Sequence, residues 1–384
     1  MSAVAASKVV AEVEKDLRAI WSDPTSPGDV PKTRVCAVNL VVVGPKDLAD
    51  RYTAIVDEVT ANVPARAIVV ALDPTGPDGL RADTTAVCTK AEGGAAVLCS
   101  ERVRFFAGGE VCGRAGSAVE ALLVPEIETV LVWLGEIETA GSTKAFTEFA
   151  ENADRLVLDT EYTSFADLAR AARWAAAAPS RPAICDLAWT RLGPWQELVA
   201  RFFDTHELTP FTRGVTSVTL EQASDPGAPL GSEVALFLGW LGSALGWKII
   251  PATGTGDTGS LVQNDRTPIA LMVKAVERPR VVAPLALAGF ALEAAHGGKA
   301  LSGSVARELA SGSMWPGATA DADVLVWKLD VDMPTATEQR VRMSANKGAR
   351  LLDRTLHRPA RDPLLEEAIA FADAFLTRTN VRAT

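Results

Sequence analysis

Apolar runs rich in β-branched residues recur between positions 34 and 159: RVCAVNLVVV from Arg34, RAIVVAL from Arg66, AAVLCSERVRFF from Ala95, TVLVWL from Thr129 and RLVLD from Arg155. Such runs read as strands buried on both faces. Helical patterns lie between several of them, over 45–62, 142–151 and 164–178. Parallel neighbours need crossovers of that length, so the alternation predicts a mainly parallel sheet with helices on its faces. The run from Ala95 alternates in part and follows the turn at Gly93 and Gly94, which predicts an antiparallel pair on the same sheet, making it mixed.

The chain has 384 residues, beyond the roughly 250 to 300 at which a single core stops growing. AAAAPSRPA, from Ala175, closes a helix with two prolines and marks a boundary near Pro179. Val10, Val13, Leu17 and Trp21 give 5–21 an amphipathic helical face, and SDPTSPGDVPK after it reads as a linker. The expected organisation is a helix and linker over 1–32, an α/β domain over 33–178 and an α+β domain over 179–384. In the last, Pro194 reads as the first residue of a helix to about 204, and Ser232 as the N-cap of EVALFLGWLGSALGW. Gly239, Gly242 and Gly246 in that helix predict close approach of another backbone. Strands are expected near 212–220, 269–276, 324–331 and 338–343, with a closing helix over 362–376.

Charge and patterning exclude several functions. A net charge of -10 and a pI near 5.0, with no basic stripe, argue against nucleic acid. The longest charge-free apolar run, 234–247, is too short to cross a bilayer, and residues 1–30 lack a secretory signal, which predicts a cytoplasmic protein. Cys36, Cys88, Cys99, Cys112 and Cys185 show no CxxC spacing, so a disulfide scaffold is not expected and Cys99 reads as a small buried hydrophobe.

Catalytic and cofactor signatures are weak. Gly254, Gly256 and Gly259 spell G-x-G-x-x-G, but Pro268 and the β-rich residues after them leave no room for the helix that a dinucleotide site requires. His296-Gly-Gly-Lys299 resembles the end of a phosphate loop, yet Glu293 and Ala300 stand where its first glycine and its Ser or Thr belong, so it reads as a turn. His206, His296 and His357 are far apart without metal-ligand spacing, and no G-x-S-x-G elbow occurs. Asp321 with Asp323, and Asp330 with Asp332, place paired carboxylates on strand faces, where they read as solvated ends. No catalytic, cofactor-binding or metal residue is assigned. An α/β enzyme or binding module for a nucleotide or sugar phosphate is the alternative reading.

At DLAWTRLGPWQELVARFFD, from Asp186, the chain resembles the OpcA family of glucose-6-phosphate dehydrogenase assembly proteins. Further segments look like that family in the same order: the helix ending at Trp21, RVCAVNLVVV, PARAIVV from Pro64, LLVPEIETVLVWLG from Leu122 and LGWLGSALGW from Leu238. The resemblance implies a non-enzymatic accessory protein without cofactors that binds glucose-6-phosphate dehydrogenase, promotes its oligomeric assembly and allosterically activates it. Because Trp and Arg anchor many binding patches, Trp189, Arg191, Trp195 and Arg201 are the candidate partner contacts in its most characteristic segment.

Overall fold

A computed structural model describes residues 3–22, 32–90, 97–137, 142–250, 262–264, 267–277, 283–308, 324–332, 337–343, 348–379 and 383. The helices are α1 (Ala3–Ser22), α2 (Lys46–Thr60), α3 (Ala115–Glu120), α4 (Ser142–Ala150), α5 (Phe165–Ala176), α6 (Leu187–Ala200), α7 (Ser232–Ala244), α8 (Gly348–His357) and α9 (Pro363–Thr379). The strands of the first sheet are β1 (Lys32–Arg34), β2 (Val38–Pro45), β3 (Ala65–Asp73), β4 (Gly79–Lys90), β5 (Val97–Gly108), β6 (Thr129–Trp133), β7 (Arg155–Leu158) and β8 (Ala183–Asp186). Those of the second are β9 (Val215–Ala223), β10 (Lys248–Ile249), β11 (Val262–Asn264), β12 (Thr267–Val276), β13 (Leu287–His296), β14 (Lys299–Arg307), β15 (Val324–Asp330) and β16 (Thr337–Arg342). The chain divides into two compact units: Met1–Thr163, Arg170–Leu187 and Gly348–Arg361 form one, and Ser164–Ala169, Ala188–Lys347 and Asp362–Thr384 the other.

In the first unit the strands run β5-β3-β2-β6-β7-β8, all parallel, as the alternation of runs and helices predicts. β4 adds antiparallel to β5, and β1 pairs parallel with the first residues of β5. Both faces are covered. On one, Leu40, Val42, Val69 and Val130 pack with Tyr52, Val56 and Val59 of α2 and with Leu351 and Leu352 of α8. Arg155 anchors α8 by donating to the carbonyls of Thr355 (2.7 Å) and Arg358 (3.1 Å) and by pairing with Glu128 at 2.7 Å. These contacts satisfy helix-end carbonyls that have no partner within the helix.

Across β4 and β5, Cys88 stands opposite Cys99 and the two form a disulfide, correcting the reading of Cys99 as a lone buried thiol. The pairing follows from strand register, which cysteine spacing does not reveal.

The second sheet runs β10-β11-β12-β9-β13-β14-β15-β16; β12 and β9 are parallel and the other pairs antiparallel, the α+β arrangement expected. β13 and β14 form a hairpin closed by Gly297 and Gly298 at φ +58° and +77°. Two successive positive φ values match the twist of a two-residue hairpin, so the His296–Lys299 segment is a turn, as its sequence reads.

Two local expectations are corrected. Pro194 lies inside α6 rather than opening it. The buried stripe Leu187, Ala188, Trp189, Leu192, Trp195, Leu198 and Val199 runs through the proline at helical spacing, and its burial outweighs the missing N–H. Ser232 is the first helical residue of α7 rather than its cap, which is Gly231, with no side-chain cap bond. A side chain at 231 would meet the Leu285 carbonyl at 2.2 Å, so only glycine fits.

Candidate functional site

In an open parallel sheet with this order, ligands bind where the strand order reverses, at the carboxyl ends of the two central strands. Here those are β2 and β6. Instead of parting, their ends stay zipped together: Leu134 N–H donates to Val43 O at 2.8 Å. A Cβ on Gly44 would lie 2.6 Å from the Leu134 Cβ, and one on Gly135, at φ +95°, 3.2 Å from the Pro45 ring. Gly44 thus makes room for the chain itself. α2 begins after Pro45 with no side-chain cap and carries Asp47 in its first turn, a charge that opposes a phosphate there.

Next to this point, the loop after β7 and the end of β8 enclose buried polar groups. Asp159 accepts from Tyr52 OH at 2.7 Å and from Glu161 N–H at 3.2 Å. Asp186 accepts from Thr160 N–H at 3.1 Å and its hydroxyl at 3.3 Å, and Thr163 donates to Gly135 O at 3.0 Å. These bonds fasten strand ends to one another. On the face bearing α3 and α4, the cleft lined by Val41, Val119, Leu131 and Phe149 has a volume of about 10 Å³, room for one water molecule.

In the second unit, Trp189 is buried and its indole N–H donates to Asp362 at 2.8 Å, while that carboxylate's other oxygen accepts from Leu364 N–H at 3.0 Å at the start of α9. Arg191 pairs with Glu233 at 2.9 Å, and Glu233 also accepts from Leu287 N–H at 3.1 Å. Trp195 is 1% exposed, with the Arg307 guanidinium 5.6 Å from its ring centroid. After α6, Phe202 stacks on Trp327 with centroids 5.4 Å apart. Of the four candidate contacts only Arg201 reaches the surface, its side chain 41% exposed and paired with Glu197 at 2.6 Å. The segment from 188 to 204 is largely core.

The remaining sequence candidates are dispersed. Among the described residues no group of three or more His, Cys, Asp and Glu side chains is placed to hold a metal. Asp332, at φ +37°, accepts from Ala300 N–H at 3.0 Å and so closes a turn. Gly254, Gly256, Gly259, Asp321 and Asp323 lie outside the described residues. Among the described residues no helix is long and apolar enough to cross a membrane.

Sequence motifs missed one feature. The second sheet buries one face, through Val218, Leu220, Phe290, Leu292, Val305 and Leu325, and presents the other to solvent. The strand registers align that open face in rows: Met272, Thr219, Ala291, Ser304, Lys328 and Glu338 form one, and Lys274, Glu221, Gly289, Ala306, Val326 and Arg340 the next. The alternation within β13 and β14 carries the signal, but their small residues make it faint. Three of the charges on this face are paired, Lys328 with Glu338 at 3.0 Å and Arg340 with Glu338 at 2.9 Å. Lys328, through its hydrogen bond first, holds the Glu338 carboxyl below the usual carboxylate range.

A doubly wound sheet whose switch-point strands stay joined at their ends, followed by an α+β unit with an open sheet face, defines a two-part α/β protein. The family model described as glucose-6-phosphate dehydrogenase subunit N-terminal domain matches residues 56–178, and that described as its C-terminal domain matches 182–369. The chain belongs to the OpcA family. The OxPP cycle protein OpcA of Synechocystis sp. is 26% identical over 201 residues, 51% of this chain and 40% of that protein. Its namesake from Synechococcus elongatus is 28% identical over 211 residues, 54% of this chain and 46% of that protein. The matches thus span less than half the length of these relatives. Solved oxidoreductases from Sinorhizobium meliloti and Pseudomonas syringae align over 89% of the chain, and over 88% and 87% of their own, at 11% identity, with TM-scores of 0.38 and 0.32.

Proposed function

We propose that this chain is a non-catalytic cytoplasmic accessory protein that binds glucose-6-phosphate dehydrogenase, promotes its oligomeric assembly and raises its activity. The observation that carries this reading is the match of both halves of the chain to dehydrogenase-subunit families. The zipped strand ends at Gly44 and Leu134 support the absence of a cofactor. No chemistry of its own is required: a protein that binds the assembled, active enzyme more tightly than other forms shifts the population toward it by the difference in affinity. Couplings of this kind are typically about 1 to 3 kcal/mol, or roughly 5- to 150-fold in affinity. The test is co-purification with the dehydrogenase, followed by activity at sub-saturating glucose 6-phosphate with and without this chain. Absence of both a complex and a kinetic change overturns the reading.

The strand order favours a second reading, binding of a nucleotide or sugar phosphate at the sheet. Calorimetry of the isolated chain with NADP and with glucose 6-phosphate separates the two, since the accessory role requires neither to bind.

A further inference from the structure

We infer that the open face of the second sheet is the surface on which this chain docks the dehydrogenase; the inference rests on the function proposed above and locates its contact. In the segment most characteristic of the family Trp189 and Trp195 are buried and Arg191 is engaged by Glu233, which leaves Arg201 as its exposed candidate and too small a surface by itself.

Size is the first argument. β12, β9, β13, β14, β15 and β16 are six to ten residues long. At about 4.8 Å per strand and about 3.3 Å per residue, their common face covers roughly 800 Å². That equals the ~800 Å² per partner of a stable interface.

Chemistry is the second. At the centre lie Thr219, Ala291 and Ser304, with Gly289 and Ala306 in the next row. Short side chains let a flat partner surface approach closely and lose little rotamer freedom when covered. Lys328 and Arg340 both pair with Glu338, and Arg340 also pairs with Glu308, so each of these charges keeps a partner when covered. Met272, 52% exposed at one side of the same face, supplies an apolar anchor.

Charge placement decides the occupant. Were a second copy to pack on this face about a two-fold axis along the strands, β12 would lie over β16 and Lys274 over Arg340. An axis across the strands through the row of Ala291 would set Lys328 on Lys328 and Glu338 on Glu338. Each arrangement opposes like charges, so the face fits a surface of a different protein.

The test uses the full chain and the purified dehydrogenase of the same organism. Ala291→Arg at the centre and Met272→Glu at the side change exposed side chains, and thermal unfolding confirms that each variant is folded. Each is expected to weaken binding at least tenfold, while Glu58→Lys, exposed on α2 of the first unit, leaves it within twofold. Binding by both face variants within twofold of the unaltered chain overturns this surface and leaves the accessory reading standing. No complex with the unaltered chain overturns both. Dimers of the unaltered chain that both face substitutions dissociate, with dehydrogenase binding retained, assign the face to a second copy and overturn the inference.

Discussion

Gly239 of α7 lies against Ala368 of α9 so closely that a Cβ at 239 would meet the Ala368 carbonyl oxygen at 2.1 Å. The expected approach of a second backbone holds at this glycine; at Gly242 the close neighbour is the Phe371 ring, and Gly246 instead takes φ +65° past the helix end. Gly239→Ala is expected to destabilise the second unit by about 1 to 3 kcal/mol through overpacking, lowering Tm by roughly 2 to 12 °C. Calorimetric unfolding of the variant measures it. An unchanged Tm would show that the two helices can part without cost.

Arg155 ties a strand to a helix 200 residues away in sequence, donating to Thr355 O at 2.7 Å. Arg155→Ala leaves the Thr355 and Arg358 carbonyls unpaired and removes the partner of Glu128. A loss of about 3 to 5 kcal/mol is expected from breaking a buried charged network. Leu352→Ala, fully buried in the same core, is expected to cost about 2 to 5 kcal/mol. Urea unfolding followed by far-ultraviolet circular dichroism reads both, and a fragment ending at 347 is expected to lose the first unit's cooperative transition.

Thiol titration checks the cysteines. Under denaturing, non-reducing conditions the three free thiols, Cys36, Cys112 and Cys185, are expected to react, and five after reduction. Cys88→Ser with Cys99→Ser is expected to reduce stability by about 2 to 3 kcal/mol, the scale for closing a short loop. Cys36 and Cys112 should react slowly when folded near neutral pH, because burial raises both thiols above their ordinary value.

Asp50 gives a pH dependence of defined sign. Its carboxyl is held below the usual range, first by the hydrogen bond from Lys46 and then by the Arg104 charge. A depressed folded value means that the contribution is fully present above the unfolded pKa and is lost as pH falls through the folded one. Asp50→Asn should therefore destabilise the chain at neutral pH and match it in acid below that value. The effect should be small, since the carboxylate is 37% exposed.

Elements whose signal is local were legible in the sequence, and those fixed by distant contacts were not. β2 and β3 carry unbroken buried apolar runs, Leu40–Val43 and Ala67–Leu72, so their strand character needs no partner to be seen. α8 has only a short apolar face, completed by α2 from the other end of the chain. β13 reads LAGFALEAAH, where alanines and glycine blur the alternation that the sheet nevertheless imposes. Pro194 misled because proline prefers a helix start locally, whereas the buried stripe of α6 is a tertiary preference. Sequence could locate Trp189 and Trp195 but not their depth, since an anchor for a core and one for a partner share the same side chain.

The closure at the end of β2 has a bearing on how such a scaffold can change. A Cβ at Gly44 would meet not only the side chain of Leu134 but also its carbonyl oxygen, at 2.9 Å. Trimming Leu134 to a smaller residue leaves that oxygen in place. Emptying the mouth of this sheet therefore demands a remodelled connection rather than a single exchanged residue.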